Sequence, residues 1–170
     1  MKDRFNRFAV RLLTALLLGL LALLLHGWAD NALLGIFLPK NASPWELSKL
    51  AYWPMLAALL LTGHLTGGLR ATGGCMLPGI VLTAPALFLG CWAVSSLEPS
   101  GSVYLVLWVV LTALGAAVTV ARDQGWENGS LWLVLAAALG ALYVIFTFMP
   151  PVWGPFLDPR DVAAMAVIPC

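Results

Sequence analysis

Of 170 residues, 61% are hydrophobic and 10% are charged, and the mean hydropathy is +0.92. Soluble domains carry roughly 25% charge, so no soluble fold of this size hides so much apolar surface. A net charge of +1 offers no basic footprint for a nucleic acid. The three cysteines, Cys75, Cys91 and Cys170, are too far apart for a zinc knuckle or a Cys-x-x-Cys pair. They read as small hydrophobes, and no metal or cofactor is expected.

A bilayer core of about 30 Å takes roughly 20 apolar residues as a helix, because every main-chain amide must be satisfied within the segment. Five stretches qualify: residues 8–28, 50–68, 76–96, 103–121 and 130–149. The expected fold is therefore an all-α polytopic membrane helix bundle of about five transmembrane helices, forming one domain over 1–170. The leucine-rich run 12–25 follows basic residues, as in a signal peptide. No small-x-small cleavage site follows it cleanly, so an uncleaved anchor is the expectation.

Lys2, Arg4, Arg7 and Arg11 precede the first span, and Arg70 and Arg122 fall on the same side, leaving Lys40, Lys49 and Arg160 opposite. Basic loops resist translocation, which places the N-terminus inside and the C-terminus outside. Two outer segments, 30–49 and 150–170, exceed what a connection needs. They are rich in Trp, Phe and Pro, and order and mutual packing are expected of them. Five spans do not divide into two inverted halves of the carrier type.

The run 35–49 is the most informative. Ser43 reads as a helix N-cap, Pro44 as the first helical residue and Glu46 as the closing member of a capping box back to Ser43. Glu46 also suits the positive end of the helix dipole. A functional alternative makes Asn41, Glu46 and Lys49 an outer polar site, joined by His26 and Asp30, which are four apart and would share a helix face. Trp28, Trp45, Tyr52 and Trp53 fit an aromatic belt at the bilayer interface. Pro54 lies inside a span, frees the carbonyl of Leu50 and is expected to kink the helix.

His64 shares a helical face with Glu46 but lies roughly 27 Å further along the axis, so the two cannot form one site. Gly63 and Gly67 flank it in a Gly-x-x-x-Gly pattern that favours close helix packing. No Asp or Glu sits near the middle of a span, which disfavours proton-coupled transport. A His-Glu-x-x-His motif, a Gly-x-Ser-x-Gly elbow and a phosphate-binding loop are all absent from the sequence. Asn128-Gly129-Ser130 matches a glycosylation sequon but falls on the inner side. Gly67-Gly68 and Gly73-Gly74 around Arg70 read as a short inner turn.

The run Gly35-Ile36-Phe37-Leu38-Pro39-Lys40-Asn41-Ala42-Ser43-Pro44-Trp45-Glu46-Leu47-Ser48-Lys49 resembles a family of uncharacterised bacterial multi-pass membrane proteins. That family's loop reads roughly Gly-x-Phe-x-Pro-Val-Asn-Glu-Ser-x-Trp-Glu-His-x-Lys. The tail, with Phe146-Thr147-Phe148-Met149-Pro150-Pro151 and Pro155-Phe156-Leu157-Asp158-Pro159, is similar to that family's ending. Ala42 and Leu47 stand where the pattern has Glu and His, and Arg160-Asp161 replaces a Gly, so any role those family side chains play cannot be carried over. The resemblance implies the bacterial cytoplasmic membrane and the same topology, and implies no reaction.

The leading expectation is a binding or accessory membrane protein with a structured outer cap, not an enzyme. Its partners would be the lipid bilayer and either another membrane protein or a second copy of itself. The alternatives are a small-solute transporter or channel, or an outer-leaflet enzyme. The transporter would place His26, Asp30, Asn41, Glu46 and Lys49 at its outer vestibule, and the enzyme would use Glu46 as acid or base with Lys49 or Asp158 nearby; with Ser43 these residues make up the candidate outer-face polar cluster. Ser43, Pro44, Trp45, Pro54, Gly63 and Gly67 are assigned structural roles.

Overall fold

A computed structural model describes residues 2–31, 33–65, 69–97, 100–121 and 129–158; the side-chain surroundings of 2–4, 63–65, 69–75 and 120–121 fall outside the description. Six α-helices follow in order: α1 Lys2–Leu24, α2 Leu34–Phe37, α3 Pro44–Leu65, α4 Leu69–Ser95, α5 Gly101–Ala121 and α6 Gly129–Phe148. Single 3₁₀ turns occur at His26–Trp28 and Gly154–Phe156. No strand occurs among the described residues.

Among the described residues, four helical stretches are long and apolar enough to cross a membrane: Phe5–Leu24, Met76–Ser95, Gly101–Thr119 and Gly129–Phe148. Helix α3 is 22 residues long and opens with the charged pair Glu46 and Lys49. The surface agrees with a membrane protein. Leu17, Leu61, Val106, Leu114 and Val134 are all more than half exposed, an arrangement that water would penalise at about 25 cal/mol per Å² of apolar area.

Helices α1, α3, α4 and α5 close a ring, each touching the next, and α6 packs on the flank of α4. The α3 and α4 stripes that meet inside the ring are built partly from small residues. Ala51, Ala58 and Ala84 are fully buried, and their small side chains let backbones approach where no hydrophobic drive exists between helices in lipid. Helix α6 buries one stripe, Gly129, Ala136, Gly140, Tyr143 and Thr147, spaced at the three-, four- and seven-residue intervals of a single helical face.

Pro54 sits inside α3 and leaves the Leu50 carbonyl without its helical donor. The indole N–H of Trp108 on α5 donates to that oxygen at 3.0 Å. Trp108 reaches it through a notch in α1, for a Cβ at Gly19 would collide with the Trp108 ring. One aromatic side chain therefore ties three helices together and repairs the proline defect.

Several sequence expectations need correction. Helix α1 ends at Leu24, and His26 and Asp30 lie in a 3₁₀ turn and the turn that follows it, so they do not share an α-helical face. The chain around Arg70 is helical from Leu69 onward, not an inner turn through Gly73-Gly74. Its apolar continuation makes α4 27 residues long, with Pro78 and Pro85 inside it. The surroundings of Gly63, His64, Gly67, Arg70 and Cys75, together with Arg122, Asn128, Arg160 and Cys170, lie outside the described residues. Cys91 is buried and unpaired by disulfide, as a small hydrophobe would be.

Replacing Trp108 by Phe strands the Leu50 carbonyl, at an expected cost of about 1–3 kcal/mol for a buried acceptor without a partner. Thermal unfolding in detergent should show the loss. The same replacement in a Pro54→Ala background should cost clearly less, because a main-chain donor is restored to that carbonyl.

Candidate functional site

The polar residues singled out in the loop converge at one end of the bundle, where α2, the start of α3, the end of α6 and the 150–158 tail meet. Ser43 caps α3, accepting the Glu46 N–H on its Oγ at 3.3 Å, and Pro44 occupies the first turn, where no amide is needed. This half of the capping box forms. The reciprocal half does not: the Ser43 N–H donates to Asn41 Oδ1 at 3.0 Å. The Glu46 carboxylate turns instead toward Lys49, one turn along, because a charge-assisted bond outweighs one to a neutral amide.

Lys49 is fully buried and Glu46 is 6% exposed. The ammonium lies 2.7 Å from Glu46 Oε1 and 2.8 Å from Oε2. It also donates to the Gly35 carbonyl at 2.8 Å and to Thr147 Oγ1 at 2.9 Å. Glu46 Oε2 additionally accepts the Lys40 N–H at 2.8 Å. An ammonium has three protons and no lone pair, and here all three are directed at protein oxygens. The cluster joins α2, α3 and α6 at one atom.

Around this pair, Ser48 Oγ and Tyr143 Oη are 2.6 Å apart, and Ser48 also donates to the Trp45 carbonyl. Tyr52 Oη donates to the Ala136 carbonyl at 2.8 Å, passing over Gly140, where a Cβ would stand 2.5 Å from that hydroxyl. Trp45 is buried in an aromatic cluster with Tyr143, Phe146, Phe156 and Phe88 at ring-centroid distances of 4.7 to 5.7 Å. Trp45 and Tyr52 thus belong to the core and not to an interfacial belt; the reason is that α6 and the tail fold over them. Trp28 is exposed, as a belt residue would be.

The tail joins this end through Phe156 against Trp45 and through Asp158, whose Oδ2 accepts the Ala42 N–H at 3.3 Å. The structure brings Asn41, Ser43, Glu46, Lys49 and Asp158 into one neighbourhood. It does not bring His26 or Asp30 there: both are exposed, and the His26 ring is hydrogen-bonded to the Leu23 carbonyl. The sequence reading missed Gly35, Ser48, Tyr52, Tyr143 and Thr147. The intervals Ser48 to Tyr52 and Tyr143 to Thr147 carry an i, i+4 signal for facing polar stripes, but nothing in the sequence pairs one with the other.

The arrangement holds α2, α3, α6 and the tail together. Glu46 has little contact with solvent, Lys49 has none, and both are consumed by internal partners. Among the described residues no group of three or more His, Cys, Asp or Glu could hold a metal. Two apolar hollows lie nearby. A groove of about 340 Å³ runs between α1 and α3, lined by Leu18, Ala22, Leu25, Trp53, Pro54 and Ala57 among others. A smaller pocket of about 180 Å³ lies under Ala42, against Cys91, Tyr104 and Trp108. Compared with family models, curated proteins and solved structures, the chain matches none.

Lys49→Met leaves the Glu46 carboxylate buried without its counter-ion, and about 3–5 kcal/mol of stability should be lost. Glu46→Gln should be similarly damaging through the stranded ammonium. The double variant should lose clearly less than the sum of the two, as a double-mutant cycle on detergent unfolding curves would record.

Proposed function

We propose that this chain is a binding or accessory membrane protein without catalytic activity of its own. Its polar end is a structural clamp, and its working surface is the apolar groove between α1 and α3. The single observation that carries this reading is the saturation of Glu46 and Lys49, which leaves neither group to act as acid, base or nucleophile or to line a vestibule. An enzyme would need a solvent-reachable carboxylate beside a second polar group. A transporter would need a polar path continuing below Pro54. The buried polar side chains there include Thr62 and Thr119, whose hydroxyls donate to the Ala58 and Ala116 carbonyls of their own helices.

The occupant of the groove is a helix of a partner membrane protein. Small residues, Ala22, Pro54 and Ala57, allow a close backbone approach. Trp53 lines the wall, and its buried indole N–H has no hydrogen-bond partner. In the same proposal α3 is the fifth span, the N-terminus faces inside and the C-terminus outside, and the membrane is the bacterial cytoplasmic one. Membership of the uncharacterised multi-pass family resembled by the 35–49 run belongs to the proposal as well.

Ala57→Trp fills the groove. A helical partner that copurifies stoichiometrically with the natural chain in mild detergent should be lost with this variant and kept with Leu133→Ala on the far face of α6. Purification of the natural chain without such a partner, or retention by Ala57→Trp, would overturn the reading. For orientation, an impermeant maleimide on intact cells should label Asp30→Cys and spare Asn6→Cys, both in a background lacking the native cysteines. The opposite pattern reverses the topology.

A further inference from the structure

Helix α6 is 20 residues long, about 30 Å at the helical rise per residue, and so fills a bilayer core by itself. The chain does not turn polar where the helix stops: no charged residue occurs between Gly129 and Asp158. Past the helix end Met149, Val152 and Trp153 are 76%, 87% and 59% exposed. We infer that residues 149–153 dip into the headgroup layer of the bilayer, so that the tail is an interfacial anchor covered by lipid. The inference rests on reading α6 as a span and holds whichever side its end faces.

Continuity with the lipid-facing side of α6 identifies the occupant. Leu142, Ile145 and Met149 are all exposed and recur at the three- and four-residue intervals of one helical face. The Met149 N–H still donates to the Ile145 carbonyl at 2.8 Å, so that face runs unbroken past the last residue of α6. Val152 and Trp153 extend it into the tail. Contiguous exposed apolar side chains of this kind mark a contact surface, and tryptophan is enriched at headgroup depth, where its ring meets both apolar and polar surroundings.

The main chain sets the depth. Pro150, Pro151 and Pro155 have no N–H, and the Phe156 and Leu157 N–H groups donate to the Trp153 and Gly154 carbonyls. At most the amides of Val152, Trp153 and Gly154 are left to seek a partner. Hydrocarbon would not supply one, whereas the hydrated headgroup layer does. The segment is also held from both sides: α6 leads into it, and beyond it Phe156 packs on Trp45 and Asp158 accepts the Ala42 N–H. Its apolar tip is thus presented outward from a fixed base.

The test places a nitrobenzoxadiazole fluorophore on Val152→Cys in the full chain lacking its native cysteines, reconstituted in nanodiscs. Their phosphatidylcholine carries bromine either near the carbonyl end of the acyl chain or near its middle. Emission should be lost more to the shallow bromine than to the deep one, and only weakly to aqueous iodide. Met149→Cys is a second attachment point and should give the same order, should the first variant fail to fold. Ala138→Cys, exposed midway along α6, should give the reverse order. No quenching by either lipid at Ala138→Cys would remove α6 as a span, and the anchor with it. Quenching by the deep bromine there, with none by lipid at Val152→Cys and Met149→Cys, would overturn the anchor alone. In that event strong iodide quenching assigns the tip to water, and shielding from iodide as well assigns it to protein, either a second copy or residues 159–170.

Discussion

A lysine ammonium with no water around it has to find an anion and enough oxygen acceptors inside its own protein, because the cost of removing such a charge from water is several kcal/mol even after relaxation. Lys49 meets this demand with partners drawn from three places in the chain: Glu46 on its own helix, the Gly35 carbonyl before the loop and Thr147 near the end of α6. Satisfying one charge therefore fixes where α2 and the last turn of α6 must lie. The aromatic cluster around Trp45 and the Asp158 contact to the loop fill in around that fixed point. Buried pairs of this kind contribute little net stability against an apolar replacement. Their effect here is on arrangement: an alternative docking of α6 would strand a charge.

The opposite half of the molecule follows a different rule. Away from the clamp the described contacts are mainly apolar, with a few hydrogen bonds from side chains to carbonyls and hydroxyls of the helices. Trp108 supplies the donor that Pro54 removes, and Arg11 reaches across to the end of α5. At the other end, the charges of Glu46 and Lys49 are spent on each other and on oxygens of the chain, and the proposed accessory role rests on that saturation.

Much of the architecture could be read from residues alone. Four of the five expected spans correspond to helices long and apolar enough to cross a membrane, and the start of α3 follows from Ser43-Pro44, since N-caps and first-turn prolines act through their immediate neighbours. The break after Leu24 was not legible: the apolar run continues to Trp28, and hydropathy does not report the 3₁₀ turn that separates His26 from α1. Glu46 and Lys49 were recognisable as members of one candidate polar site, but neither their pairing nor their burial was. Burial depends on Thr147 and Tyr143, about a hundred residues away, and no local pattern names a partner at that distance. Trp45 and Tyr52 fit the composition of an interfacial belt for the same reason, because the tail that covers them arrives last.

The spacing of the ion pair also bears on how the chain is made. Glu46 and Lys49 are three residues apart, so the two charges can neutralise each other as soon as the first turns of α3 form. At that stage the ribosome has yet to synthesise Thr147. The nascent helix thus carries its counter-ion with it and presents a paired unit to the insertion machinery in place of a lone cation. Gly35, already synthesised, can join at once, and α6 completes the set only when it docks. Moving the carboxylate to a distant helix could leave the finished fold unchanged and still expose an unpaired lysine throughout synthesis.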